Sequence, residues 1–138
     1  MKDLEALART IYGEARGESQ RGREAVACVI LNRVNADLHD DNKPDWWGEG
    51  VYDVCTKPWQ FSCWLEDDPN REKIRTATTE DEVFCECLLV AVHALLGDLT
   101  DQTNGATHYH VTGLLAAWSR GHVPCVTIGK HVFFNDIK

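Results

Sequence analysis

With 138 residues, 43% of them hydrophobic and 26% charged, the chain has the size and composition of one globular domain with a core of its own. A net charge of -8 argues against a nucleic-acid partner, whose usual footprint on a protein is a basic stripe. No apolar run approaches the roughly 20 residues of a membrane helix, so no membrane insertion is expected.

The first residues, Met1-Lys2-Asp3-Leu4-Glu5, show no basic segment followed by an apolar one, and read as a chain made in a cytoplasm without a signal peptide. A first helix is predicted over roughly Asp3 to Ala15, because Leu4, Leu7, Ala8, Ile11 and Tyr12 recur as one apolar stripe. It ends in Ile11-Tyr12-Gly13-Glu14-Ala15-Arg16-Gly17-Glu18. At about 100° per residue, Glu14 falls roughly 80° from the centre of the stripe, near its edge. A carboxyl held half out of water there is a candidate proton donor with a raised pKa; the alternative is an ordinary surface glutamate. Gly13 and Gly17 leave room for a close approach. If the helix continued, Glu18 would land on the apolar stripe, so a break at Gly17 is expected, with Glu18 pairing with an arginine. Arg16, Arg21 and Arg23 offer a local positive patch on an acidic chain.

A second helix is expected from about Arg21 to Val34, with Ser19 as N-cap and Val26, Val29, Ile30 and Val34 facing inward. The stretch from Asn35 to Asp68 holds four of the five tryptophans and reads as a long structured loop. A short helix over Glu72 to Thr76 precedes the clearest one. There Thr79-Glu80-Asp81-Glu82 reads as a capping box with Thr79 as N-cap, Val83, Cys87, Ala91, Ala94 and Leu95 form the core face, and Gly97 ends the helix. The tail from Val126 to Phe134 reads as a short hairpin. The chain is thus expected to be a single, mostly helical α+β domain over residues 1–138, with little sheet.

None of the six cysteines forms a CxxC pair, so the strong zinc and redox signatures are missing. Cys28, inside an apolar run, reads as buried and free. Thr107-His108-Tyr109-His110 raises a zinc alternative, with His108 and His110 joined by His122 or His131 in a metal-dependent amidase. That spacing puts both histidines on one face only in a strand, and no acidic or cysteine partner stands at ligand spacing. No metal and no cofactor are therefore expected.

Five segments taken together carry a resemblance. They are Glu14-Ala15-Arg16-Gly17-Glu18, Gly22 to Val34, Gln60-Phe61-Ser62-Cys63-Trp64, Gly105-Ala106-Thr107-His108-Tyr109, and Ile128 to Phe133. This ordered set resembles the SleB/CwlJ cell-wall hydrolase family, which contains spore cortex-lytic enzymes and phage endolysins, and it runs from about Leu4 to Phe134. The resemblance implies a lysozyme-like, lytic-transglycosylase-like fold and a peptidoglycan-cleaving activity on glycan strands, with Glu14 as the acid.

Glycosidic cleavage needs a proton for the leaving oxygen and stabilisation of an oxocarbenium-like state. Hydrolases of the usual kind use two carboxylates, whereas a lytic transglycosylase manages with one, because the muramic 6-hydroxyl attacks its own anomeric carbon. Glu14 is the expected catalytic residue, with Tyr12 and nearby apolar groups desolvating it; Glu18 is a second catalytic or structural candidate. Asp53, Glu66, Asp67 and Asp98 read as loop or helix-end charges. Tyr12, Gln60 and Trp64 are candidates to bind a saccharide, with core packing as the alternative for Gln60 and Trp64; Phe61 reads as core. Thr107 and Tyr109 would line the cleft opposite Glu14. The expectation is a monomeric endolysin of the host cytoplasm that reaches the wall at lysis and leaves 1,6-anhydro ends. A hydrolytic muramidase, the zinc amidase and an inactive peptidoglycan-binding module are the alternatives.

Overall fold

In the computed structural model, which describes residues 2–138, a helical body is followed by a small sheet. The helices are α1 (Lys2–Ala15), α2 (Gln20–Asn35), α3 (Gly50–Thr56), α4 (Pro69–Thr76) and α5 (Glu82–Leu96), and the strands are β1 (His108–Val111), β2 (Val126–Ile128) and β3 (His131–Phe134). Short 3-10 turns stand at Ser62–Trp64 and Ala117–Ser119.

The stripe of α1 is the centre of the molecule. Leu7, Ala8 and Ile11 are completely buried, and the helix packs against α2, α3, α4 and α5 at once. Close packing on the α4 side depends on Gly13, where an added Cβ would stand 2.8 Å from both Cys63 Sγ and Ile74 Cγ2. Gly17 meets nothing within 4 Å, so no close approach depends on it. Ser19 accepts a hydrogen bond from Gly22 N and caps α2, whose Val26, Val29 and Ile30 are buried.

Arg23 is not part of a surface patch. It is 8% exposed, donates to the terminal carbonyls Ala15 O (3.4 Å) and Arg16 O (2.9 Å), and pairs with Glu86 of α5. A guanidinium fork suits the unpaired carbonyls at a helix end, which explains why the fold consumes it there.

Two elements differ from expectation. The Asn35–Asp68 region is not wholly irregular, because it contains α3, with Val54 and Cys55 fully buried against α1. On α5 the N-cap is Asp81, not Thr79: Asp81 Oδ1 accepts from Val83 N at 2.9 Å, and its other oxygen accepts the Tyr12 hydroxyl at 2.5 Å. A carboxylate also complements the positive helix N-terminus, so aspartate wins over threonine. The inward face is accordingly Phe84, Cys87, Val90, Ala91 and Ala94, while Leu95 lies exposed.

The sheet has the order β1-β3-β2 and is antiparallel throughout, with Tyr109 opposite Phe133 and His110 opposite Val132. A small cluster of Ala25, Val29, Ala106, Ile128 and Phe133 glues it to α2. That contact carries β1 to the C-terminal end of α1. Among the described residues all six cysteines are unbridged, and Cys28 is buried.

Candidate active site

Glu14 leaves the last turn of α1 facing β1. The Tyr109 hydroxyl donates to its Oε1 at 2.5 Å, and the Cys63 thiol stands close enough to the same carboxyl to influence its ionisation. Burial raises the Glu14 pKa above its ordinary 4.5; the Tyr109 hydroxyl and the Cys63 thiol pull it back, Asp68 pushes it up, and the Arg33 charge lowers it. Tyr109 is itself held well above the usual phenol range by burial and by Glu14, so its hydroxyl stays a donor. Burial keeps the Cys63 thiol protonated in the same way. The arrangement is a buried carboxyl shifted toward its protonated form, with a neutral phenol and a neutral thiol beside it, of which the Tyr109 hydroxyl donates to the carboxyl and can steady its conjugate base.

Arg33, at the end of α2, completes the surroundings. It is 8% exposed, donates through Nε to Thr107 O (2.7 Å) and through Nη1 to Gln60 Oε1 (2.8 Å), and lies over the rings of Phe61 and Trp47. Burial lowers its pKa, with Tyr109 and Glu14 opposing that shift. A buried cation held by neutral acceptors and π faces is an electrostatic resource for a nearby carboxylate. Neither Arg33 nor Cys63 stands out as a site residue in the sequence, although both lie inside the segments that carry the family resemblance.

Tyr12 is not at this site. Two positions apart on a helix is about 200°, so it lies on the other side of α1, edge-on to Phe84 and bonded to Asp81. The desolvation of Glu14 comes instead from the surroundings that Tyr109 and Cys63 share. Trp64 is half-buried and donates from Nε1 to Thr10 Oγ1 at 2.9 Å, which ties it to the helix packing. Phe61 is core, 3% exposed. Gln60 does line the depression beside Tyr109, but its carbonyl serves Arg33 and its amide donates to Trp47 O. Thr107 contributes its backbone carbonyl to Arg33, and its hydroxyl meets His108 Nδ1 at 2.9 Å.

Glu18 lies beyond the helix end, and its partner is a turn rather than an arginine. Its Oε1 accepts from Lys130 N at 2.8 Å in the β2–β3 turn, and His131 Nδ1 stands 3.7 Å away. Gly22 and Gly129 cradle it: a Cβ on Gly129 would collide with Glu18 Oε1, and Gly129 has φ +57. The His131 ring in turn packs edge-on to Tyr109 at 4.8 Å. Glu18 therefore fixes the sheet, and with it Tyr109, against the end of α1.

His108 and His110 do share a face of β1, where both pack on Trp118. Burial and the Arg33 charge push His108 down to about 4, so it is neutral near pH 7. Among the described residues, no group of three or more His, Cys, Asp or Glu side chains is placed to hold a metal ion.

Comparison with known proteins extends this picture. Residues 17–134 match the Cell Wall Hydrolase family. The spore cortex-lytic enzyme of Halalkalibacterium halodurans is 33% identical over 96% of the chain and 34% of its own length. That of Bacillus subtilis is 29% identical over 95% of the chain and 37% of its length. The chain thus spans about a third of the length of the curated relatives it matches. Among solved structures, the catalytic domain of the SleB protein of Bacillus cereus superposes with a TM-score of 0.70 at 27% identity, covering 96% of this chain and 89% of that one. The catalytic domain of the germination-specific lytic transglycosylase SleB of Bacillus anthracis gives 0.71 at 27% identity, covering 97% and 94%. The mostly helical α+β architecture is that of these catalytic domains, and the chain belongs to the Cell Wall Hydrolase family.

Proposed function

We propose that this chain cleaves peptidoglycan glycan strands at the β-1,4 bond between N-acetylmuramic acid and N-acetylglucosamine, as a lytic transglycosylase. The observation that carries the reading is the Glu14 carboxyl, its pKa raised by burial and its Oε1 bonded to the Tyr109 hydroxyl, with the Cys63 thiol beside it. Protonated Glu14 gives its proton to the leaving glycosidic oxygen as the C1–O bond breaks. The Tyr109 hydroxyl, the Cys63 thiol and the Arg33 charge steady the resulting carboxylate while the oxocarbenium-like centre exists. The muramic 6-hydroxyl then attacks C1, and Glu14 takes its proton, which restores the acid and leaves a 1,6-anhydro end. Intramolecular attack replaces a positioned water through its high effective concentration. The similar Bacillus anthracis domain is a lytic transglycosylase, which supports the same reaction class here.

A second reading, hydrolysis, draws on one observation. Asp68 lies close enough to raise the Glu14 pKa, so a second carboxylate stands in the neighbourhood. Its Oδ1, however, accepts from Asn70 N at 2.8 Å and caps α4, which favours a structural role.

Mass spectrometry of muropeptides from digested walls tests the reading. Anhydro ends are expected; reducing ends would establish hydrolysis, and free stem peptides would establish an amidase. Digesting vegetative wall and spore cortex side by side separates an endolysin from a cortex-lytic role.

A further inference from the structure

His131 opens β3, the middle strand, and its backbone is paired with Val111 on one side and Ile128 on the other. Side chains alternate along a strand, so His131 shares a sheet face with Phe133. On that face three rings meet. Centroids lie 4.8 Å apart for Tyr109 and His131, 5.5 Å for Tyr109 and Phe133, and 6.2 Å for His131 and Phe133. The imidazole is thus packed directly on the phenol that donates to Glu14. His131 is 6% exposed, yet its buried Nδ1 has no hydrogen-bond partner among the described residues. Glu18 Oε1 stands 3.7 Å from it, just beyond bonding range, and is itself held by Lys130 N at 2.8 Å. Buried polar groups are normally paired, and an unpaired one costs stability. An apolar side chain such as phenylalanine would fill the same space without that cost, so packing does not account for a histidine here.

We propose that His131 is a positioning residue for the Glu14 acid: its Nδ1–H, directed at Glu18 Oε1, latches the ring against Tyr109 and so holds the Tyr109 hydroxyl on Glu14. The assignment rests on the reading of Glu14 as the proton donor. A small rotation of the ring is enough to close the contact with Glu18. Around the ring stand Tyr109 of β1 with Glu14 of α1 behind it, Glu18 of the α1–α2 connection, and Lys130 beside it in the chain. Of these, Glu18 is the charge that acts on it. Burial holds the His131 pKa below its ordinary 6.5 and Glu18 opposes that, so near neutral pH the ring carries a single proton. A carboxylate facing Nδ1 draws that proton to Nδ1 rather than to Nε2. Glu18, His131 and Tyr109 then form one line of contacts that ends on the acid.

The test uses the full chain, isotope-labelled at histidine nitrogens and glutamate carboxyls. NMR of the unsubstituted protein near neutral pH is expected to find the His131 proton on Nδ1. A proton on Nε2 overturns the proposal, because Nδ1 would then turn a lone pair toward the carboxylate. His131→Phe keeps a ring against Tyr109 and removes the nitrogen. Glu14 is then expected to hold its proton about threefold more tightly, which moves its titration and the alkaline limb of wall clearing upward by about half a pH unit. kcat is expected to fall about threefold with KM within about twofold. In the Tyr109→Phe background the same substitution should leave the Glu14 titration where it is, because the effect passes through that hydroxyl. A Glu14 titration that does not move in folded His131→Phe protein overturns the latch, and so does a shift that persists without the Tyr109 hydroxyl. The NMR measurements need no substrate, so inactivity on glycan strands would sink the proposed function and leave the latch to be judged separately.

Discussion

The Tyr109 hydroxyl and the Glu14 carboxyl meet at 2.5 Å although 95 positions separate them in the chain. One belongs to the end of a helix and the other to a strand, so the acid exists as a tuned group only when the sheet is seated on the helices. Its ionisation and the seating of the sheet are therefore linked.

Glu14→Gln is expected to abolish wall clearing, with a loss of roughly 10²–10⁴-fold or more, because an amide cannot donate the proton. The same substitution reports on stability. Burial raises the folded-state pKa of Glu14 above 4.5, so the folded protein favours the protonated form and loses stability as pH rises from the unfolded pKa through the folded one. Glu14→Gln escapes that loss. Its melting temperature is expected to match the parent's below about pH 4.5 and to exceed it by a margin that grows up to the folded pKa and then levels off. A constant difference across pH, or full clearing activity in a folded variant, contradicts the assignment.

Tyr109→Phe removes a donor that holds the Glu14 pKa down. Activity requires the protonated acid, so the alkaline limb of the pH–rate profile is expected to move upward. The maximal rate should fall by roughly tenfold, about 1.4 kcal/mol of barrier, because the carboxylate stage loses its partner. A limb that moves downward would show that the hydroxyl does not act on Glu14.

Glu18 separates positioning from chemistry through two variants. Glu18→Gln keeps an oxygen that accepts from Lys130 N, and is expected to retain most activity. Glu18→Ala leaves that turn N–H unpaired and the cradle of Gly22 and Gly129 empty, at a cost of about 1–3 kcal/mol. Its alkaline limb should shift as Tyr109 loosens. Chemical denaturation and the pH profile read the two effects, and an inactive but stable Glu18→Gln protein would make Glu18 catalytic instead.

How much of this is readable in the chain varies with the range of the cause. The stripe of α1 and the Ser19 cap are local, and periodicity exposes them. Seven-residue α3, which starts at Gly50 and stands between Gly48 and Pro58, is too short to show a period and is helical because Val54 and Cys55 bury against α1. Thr79 and Asp81 are both good caps, and the Tyr12 hydroxyl, from a distant helix, is an added tie on Asp81. Helical phase alone excludes Tyr12 from the side of Glu14, a signal present in the sequence. Arg33 looks like any solvated arginine until Thr107 and Gln60 close over it, and only the tertiary fold brings them there.

Wall clearing is expected to persist in EDTA. His108 and His110 face one way, but Trp118, Trp47 and Phe134 surround them in place of further ligands. Lysis lost with chelator and restored by zinc alone would transfer the chemistry to that strand.

Asp68 discriminates between the two ways of resolving the oxocarbenium-like state. If it positioned a water, Asp68→Asn would cost the second step and depress turnover by at least roughly a hundredfold. If it only caps α4, asparagine caps nearly as well, and the fold and maximal rate should stay within about twofold. Asp68 raises the Glu14 pKa through its charge, so removing that charge lets the Glu14 pKa fall. The acid then loses its proton at lower pH, and the alkaline limb is expected to move downward, opposite to Tyr109→Phe. The product ends should remain 1,6-anhydro in both proteins, because the nucleophile belongs to the substrate and not to the side chain being changed. Reducing ends that vanish together with activity in Asp68→Asn would instead identify a hydrolytic muramidase with Asp68 as its base.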